Sequence, residues 1–232
     1  MDTVLLADVP VGAGSPCVFC DVGLASECGA FGANEDYCVA LSKDDGASVT
    51  VAVADGIGSQ PHGRALARLA CLASISSIAR GDTIRGAFGA AASEVRSFMR
   101  DARSPRSGTT LILAKAIKDR LDLGWEGDGA CLVVGHDGCR EMIRPHREGP
   151  TNRITRFLGR DVTCRPETAN VRLRPGETVV ILTDGVADVL GRGKIVETIR
   201  TKRTAGDCAR RLVKEARATG RDDATAAIIR MR

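Results

Sequence analysis

The sequence predicts an α+β fold in which strands and helices come in separate blocks. Three observations point there. Short apolar runs rich in Val, Ile, Leu or Thr gather before and after a central stretch. Two segments with apolar residues at three- and four-residue steps sit together in that stretch, and further ones lie towards the C-terminal end. Asp137-Gly138 and Pro175-Gly176 fall between strand-like runs, where antiparallel hairpins and corners need turn residues. A regular strand–helix alternation is not seen, so a parallel βαβ sheet is not expected.

The expected elements follow in chain order. Tyr37–Leu41 and Val49–Ala54 read as strands. Leu66, Leu69, Ala73 and Ile78 mark a first helix, and Ile84, Phe88, Ala91, Val95 and Phe98 a second. Thr109–Ala116, Ala130–Gly135 and Thr178–Thr183 return to strand. A helix over Val186–Arg200 is interrupted by Gly191 and Gly193. Another spans Asp207–Ala218, with Leu212, Val213 and Ala216 on one face and Gly220 as its stop. Ala224–Met231 closes the chain as a strand.

The 232 residues suffice for one substantial core, and residues 1–232 read as a single domain without linker, repeat or low-complexity tract. With 44% hydrophobic and 27% charged residues, the composition is that of a globular protein. No apolar run approaches the roughly 18 residues of a membrane span. Asp2 and Asp8, with no early Lys or Arg, do not make the basic start of a signal peptide, so a cytoplasmic, reducing location is expected. Residues 1–100 hold 7 Lys/Arg against 11 Asp/Glu, and residues 101–232 hold 26 against 18. A basic half can attract nucleic acid, but seven aromatic residues are too few for a base-stacking platform. The Arg/Lys positions from Arg192 to Arg217 alternate with helix-period apolar residues and read as a solvated helix face. Nine cysteines include a CxxC at Cys17 and Cys20, with Cys28 and Cys38 after it. No second knuckle completes a zinc set, so plain buried thiols are expected. His136 and His146 have no motif around them and read as surface loop residues.

The carboxylates carry the chemistry. Two apolar strands run into the same dipeptide, Asp55-Gly56 and Asp184-Gly185. Asn34-Glu35-Asp36, Gly127-Asp128-Gly129 and Asp222-Asp223 each lie just before a strand. Each alone is an ordinary turn or cap. If the strands share a sheet edge, however, these carboxylates converge, and like charges that close repel unless cations neutralise them. Mg2+ or Mn2+ with oxygen ligands would do so, which makes this set a candidate two-metal acidic site.

Taken in order, the residues resemble the type 2C, metal-dependent Ser/Thr protein phosphatases, in a short bacterial form. Asn34-Glu35-Asp36 resembles N-E-D, and Asp55-Gly56-Ile57-Gly58 resembles D-G-M-G with Gly63 opening the next helix. Ser107-Gly108-Thr109-Thr110 is similar to the G-T/S-T strand start, Gly127-Asp128 to the start of G-D-S-R, and Arg156-Phe157-Leu158-Gly159 to R-A-L-G. Thr183-Asp184-Gly185-Val186-Ala187-Asp188 is close to S-D-G-L-x-D, and Asp222-Asp223-Ala224-Thr225 to D-N-x-T. Seven motifs in register span nearly the whole chain.

The resemblance implies a four-layer sandwich, two antiparallel β-sheets flanked by α-helices. It implies two Mg2+ or Mn2+ ions, one held by Asp55, Asp184 and Asp222, the other by Glu35, Asp55 and the carbonyl of Gly56. Asp36 would act through bound water, and Asp128 with Asp184 would form a weaker third position. The implied activity is direct attack of a dimetal-bound water on phosphoserine or phosphothreonine in a protein substrate, with no phosphoenzyme and no nucleophilic Cys or Ser. No nucleic acid or membrane partner is implied.

The chain also departs from the family. Phe31 stands where the family has a phosphate-gripping arginine, and no Arg follows Gly127-Asp128. Arg64 replaces the glutamate after Gly63, and is either a substitute phosphate grip or a solvated helix residue. His62, shortly after Asp55-Gly56, is either a proton donor to the leaving oxygen or a solvent-facing helix-start residue. The segment from Gly135 to Arg156 is short, so the flap near the site is trimmed. A catalytically weak or inactive phosphatase-fold binding or scaffold module is the alternative function, and a metal-dependent nuclease fits the motif register poorly.

Overall fold

The computed structural model describes residues 3–6, 17, 19–43, 46–57, 62–149, 153–160 and 164–232. Its elements in chain order are β1 (Thr3–Leu6), β2 (Cys20–Glu27), β3 (Asp36–Lys43), β4 (Ser48–Asp55), α1 (Gly63–Ala79), α2 (Ile84–Asp101), β5 (Leu111–Ile117), β6 (Arg120–Glu126), β7 (Ala130–Gly135) and β8 (Gly138–Glu141). There follow β9 (Arg147–Glu148), β10 (Arg153–Ile154), β11 (Glu167–Arg172), β12 (Thr178–Leu182), α3 (Asp184–Thr201), α4 (Ala205–Thr219) and β13 (Ala224–Met231). One six-stranded sheet has the order β1-β3-β4-β5-β6-β11, and a five-stranded sheet has the order β2-β13-β12-β7-β8. Every pairing is antiparallel, and β9 and β10 form a separate small ribbon.

The side-chain alternation of each strand decides the layers. In β4, Val49, Val51 and Val53 share a core with Val179 and Ile181 of β12 and with Ala227 and Ile229 of β13. That core lies between the sheets. Ala52 and Ala54, on the other face of β4, pack with Leu66 and Ala70 of α1 and Phe88 and Ala91 of α2. On the far side, Val180 and Leu182 of β12 and Ile228 of β13 pack with Leu212, Val213 and Ala216 of α4. Central strands buried on both faces read as unbroken apolar runs, which is why they were legible without alternation. The result is the expected four-layer sandwich, with α1 and α2 on one side and α3 and α4 on the other.

The helices start and stop for local reasons. Thr83 Oγ1 accepts from Gly86 N at the head of α2, and Thr204 Oγ1 accepts from Asp207 N at the head of α4. Gly191 breaks α3 with φ +67, ψ 160, where the sequence expected an interruption. The Asp137-Gly138 turn closes the β7–β8 hairpin, and Pro175-Gly176 makes the corner where the chain leaves one sheet for the other.

Strands β1, β2, β6, β8, β9, β10 and β11 were not expected from the sequence. Cys17 and Cys20 are buried thiols, with Cys20 Sγ 2.8 Å from Cys17 Sγ, whereas Cys28 is exposed. His136 is solvent-exposed as expected. His146 is not: it is buried, and its ring stacks on Trp125 at a centroid distance of 6.4 Å. No helix among the described residues is long and apolar enough to cross a membrane.

Candidate active site

The carboxylates converge because the two sheets present their strand ends along one edge. Asp36 opens β3 and Asp55 ends β4, and the two are directly paired in register. From the other sheet come Asp184, at the start of α3 two residues beyond β12, Asp128, just ahead of β7, and Asp222, just ahead of β13. Glu35, Asp55, Gly56, Asp128, Asp184 and Asp222 all line one cleft of about 490 Å³, joined by Asp223, Thr110, Ile154 and Phe31. Asp36 lies beneath this lining, 5% exposed.

Hydrogen bonds hold the segments that carry Asp55, Glu35, Asp36 and Asp223. Asp55 N donates to Thr110 Oγ1 (2.8 Å), and Asp55 O accepts from Thr110 N (2.8 Å) and Thr109 Oγ1 (2.9 Å). Gly56 N donates to Glu35 O (3.1 Å), tying β4 to the residue ahead of β3. The Asp223 carboxylate accepts from Glu35 N (2.6 Å) and Gly29 N (2.5 Å), so it clamps the Asn34-Glu35-Asp36 segment to the head of β13. Thr183 Oγ1 donates to Asp36 Oδ2 (2.9 Å) and accepts from Thr225 N (3.0 Å). A Cβ on Gly56 would meet Gly63 backbone at 2.3 Å, and one on Gly185 would meet Asp223 O at 1.9 Å. These two glycines let α1 and α3 start against the site.

Electrostatically the cleft is strained in one direction. Burial, then the charges of Asp36, Asp184, Asp128 and Asp222, push Asp55 well above the ordinary carboxylate value. Burial pushes Asp36 up to about 7, with Asp223 and Asp184 adding to it and the hydroxyls of Thr225 and Thr183 opposing it. Burial and Asp184 push Asp128 up to about 6, opposed by its own backbone N–H and by Arg147. Asp184 is raised by burial, Asp222 and Asp188, and Glu35 by burial, Asp223 and Asp222. Five acidic groups all disfavour ionisation together: burial and mutual repulsion outweigh the counter-charge that Arg147 brings beside Asp128.

Around the site, His146, Arg147 and Glu167 take roles that the sequence did not signal. His146 Nδ1 accepts from Gly127 N (3.1 Å) and His146 N donates to Gly127 O (2.8 Å), so this histidine sets the turn that carries Asp128. Its Nε2 faces Glu167 Oε1 at 3.0 Å, and Arg156 bonds both Glu167 and Glu126. Arg147 holds Asp188 with both guanidinium nitrogens. Phe31 is 74% exposed at the cleft rim, with the Arg221 guanidinium 5.2 Å over its ring. His62 and Arg64 are exposed at the head of α1 and do not line the cleft; the His62 ring meets Phe98 edge-on at 5.5 Å.

The family model for protein phosphatase 2C matches residues 32–226. The chain belongs to that family. Among solved structures, it is similar to the serine/threonine phosphatase PstP/Ppp of Mycobacterium tuberculosis, 19% identical with a TM-score of 0.79, over 93% of this chain and 100% of that one. It is similar to the PPM Ser-Thr phosphatase MsPP of Mycobacterium smegmatis in complex with cacodylate, at 22% identity and TM-score 0.78, over 91% and 98% of the two chains. It also resembles the PstP catalytic domain in complex with 2 manganese ions, 18% identical with a TM-score of 0.78, over 92% and 98%. No curated protein is significantly similar to it in sequence. At these identities the structural likeness shows the fold, and the match to the family model shows the family.

The donor set of this phosphatase-family chain suits a hard divalent cation. Asp36 Oδ1 is buried with no hydrogen-bond partner in the structure, so a ligand or water beside it would satisfy a group that is otherwise costly to bury. The remaining donors are all oxygen: six carboxylates in the lining and the Gly56 backbone. Among the described residues no group of three or more His, Cys, Asp or Glu side chains is already drawn together as a cation shell. Each ion would therefore complete its shell with a carbonyl and water, as Mg2+ and Mn2+ prefer.

Proposed function

We propose that this chain is a metal-dependent phosphoprotein phosphatase that hydrolyses phosphoserine and phosphothreonine. One observation carries the proposal: the strand-end carboxylates of both sheets meet in a single cleft where burial and mutual repulsion push Asp55, Asp128, Asp184 and Glu35 upward, and the buried Asp36 Oδ1 lacks a partner. Asp55, Asp184 and Asp222 are assigned to one Mg2+ or Mn2+ ion, and Glu35, Asp55 and the Gly56 carbonyl to the other. When bound, such ions lower the pKa of their water towards neutrality and neutralise charge on the phosphoryl oxygens.

The protein's own residues do the rest. Asp36, aimed by Thr183, offers its unpartnered Oδ1 to orient a water in the site. The Thr110 and Asp223 contacts hold Asp55 and Glu35 in place before substrate arrives, so no reorganisation is required during reaction. Asp128 is held by the Gly127–His146 contacts at the outer side of the cleft. Since His62 and Arg64 stand outside the lining, the reading gives neither a step at the phosphate.

The test is Mn2+-dependent release of phosphate from a phosphothreonine peptide. Turnover by the wild type, abolished by chelation and by Asp55→Asn, supports the reading. One observation favours the alternative of a binding module: an exposed phenylalanine, Phe31, lines the rim where the resemblance implies a phosphate-gripping arginine. In that case the phosphopeptide binds with metal present and no phosphate is released.

A further inference from the structure

Arg147 is the first residue of β9, and its guanidinium makes a two-pronged contact with the Asp188 carboxylate, at 2.5 and 3.0 Å. Asp188 stands four residues after Asp184, one turn along the same face of α3. Arg147 also interacts favourably with the charges of Asp128 and Asp184. Its position is not accidental to the site. The preceding residue, His146, grips the Gly127 backbone through both its ring and its N–H, so the segment that shapes the Asp128 turn also delivers the guanidinium to the outer carboxylates.

An exposed ion pair between long side chains usually contributes little. This one differs in kind. The fork is bidentate, the arginine side chain is 27% exposed and Asp188 35%, and two further carboxylates of the cleft lie in its field. The outer side of the cleft, where the resemblance implied a weak third ion at Asp128 and Asp184, thus has a cation built into the chain. A guanidinium does not deprotonate in proteins, so no ordinary change of pH vacates the position.

We propose that Arg147 is the resident cation of the outer carboxylate position formed by Asp128, Asp184 and Asp188, and that it limits the cleft to two divalent ions by standing where a third would bind. The proposal rests on the metal-dependent reading above. A divalent ion entering between these three carboxylates must displace the guanidinium from Asp188 and face its repulsion. Arg147→Met removes the charge and keeps the aliphatic stem; Arg147→Lys keeps the charge and loses the fork.

The experiment counts Mn2+ bound per chain, by equilibrium dialysis and by the electron paramagnetic resonance signal of free Mn2+, with folding of each variant checked by its thermal transition. The wild type is expected to bind two ions and Arg147→Lys also two. Arg147→Met is expected to gain a third site at least tenfold tighter than any third ion in the wild type, and Asp128→Asn added to Arg147→Met removes it again. A wild type that takes up a third ion as tightly as Arg147→Met overturns the proposal, and so does a folded Arg147→Met that stays at two; in both cases the two-ion reading stands. A wild type that binds no Mn2+ overturns the reading and the proposal together. Should Arg147→Met fail to fold, the wild-type stoichiometry and Asp188→Asn decide. Asp188→Asn leaves the cation but removes its anchor and one ligand, and it is expected to remain at two ions; a third ion in that variant overturns the proposal.

Discussion

Asp55 concentrates the proposed chemistry at one side chain. It sits between the donors assigned to each ion, its backbone is tied on both sides by Thr109 and Thr110, and four other aspartates act on its charge. Asp55→Asn keeps the shape and every backbone contact, so the fold should melt cooperatively while turnover of a phosphothreonine peptide falls by about 100-fold or more, the usual cost of one lost transition-state charge contact. A variant retaining a tenth of the wild-type rate would refute the assignment. Phe31 poses the opposite question. Hydrogen bonds to charged groups contribute about 1.5–3 kcal/mol, and a benzyl side chain offers none. Phe31→Arg is expected to lower KM for phosphopeptide by about tenfold or more with kcat little changed, read from steady-state kinetics. An unchanged KM would mean that the ions alone hold the phosphate. The aspartates were legible in the sequence because Asp-Gly at the end of an apolar strand is a local pattern. His146 and Arg147 were not, because their roles depend on which turn and which helix the fold sets beside them.

At the scale of elements, packing decides what a sequence shows. Phe88 is fully buried, and it lies over Gly124 of β6, where a Cβ would come within 2.9 Å of its ring. Phe88→Ala should therefore open a cavity between α2 and the six-stranded sheet and destabilise the protein by about 3–5 kcal/mol, measured by urea denaturation. A cost under about 1 kcal/mol would mean that α2 does not bear on the sheet through this residue. The same contact explains why β6 escaped the sequence reading. Its Leu121, Leu123 and Trp125 alternate cleanly, but Asp122 and Gly124 interrupt the apolar run. Strand β2 carries Gly23 because the head of α4 presses on it, where a Cβ would meet the Ala205 backbone at 2.3 Å, with Asp21 Oδ2 accepting from Ala205 N at 2.6 Å. Strand β11 is polar on its exposed face because it is an edge. Strands with one face in solvent or under a helix terminus lose the unbroken apolar signature that made β4, β12 and β13 readable.

Across the whole molecule, the seven sequence motifs lie far apart in the chain yet come together because two antiparallel sheets stack with their strand ends at one edge. Order along the chain revealed that they belonged together; how their charges balance appears only in the assembled cleft. That balance sets a pH dependence. Asp36 is raised to about 7 and Asp128 to about 6, both from an ordinary value of 3.8, with burial the leading cause. The native state therefore binds more protons than the unfolded chain between about pH 4 and 7, and stability falls as pH rises through that window. Below it the carboxyls are protonated in both states and no penalty exists. Above it the penalty is complete and constant. Metal-free protein is thus expected to have a higher Tm at pH 5 than at pH 8. On the proposed metal-dependent reading, Mn2+ takes the ionised native site and not the unfolded chain, so it should raise Tm more at pH 8 than at pH 5, and at a hundredfold excess over its Kd the gain is about 2.7 kcal/mol. Calorimetric scans at the two pH values, with chelator and with Mn2+, check both signs. A metal-free Tm that climbs from pH 5 to pH 8 would mean that the buried carboxylates already have their counter-charge within the protein, and the need for divalent ions would lose its physical basis.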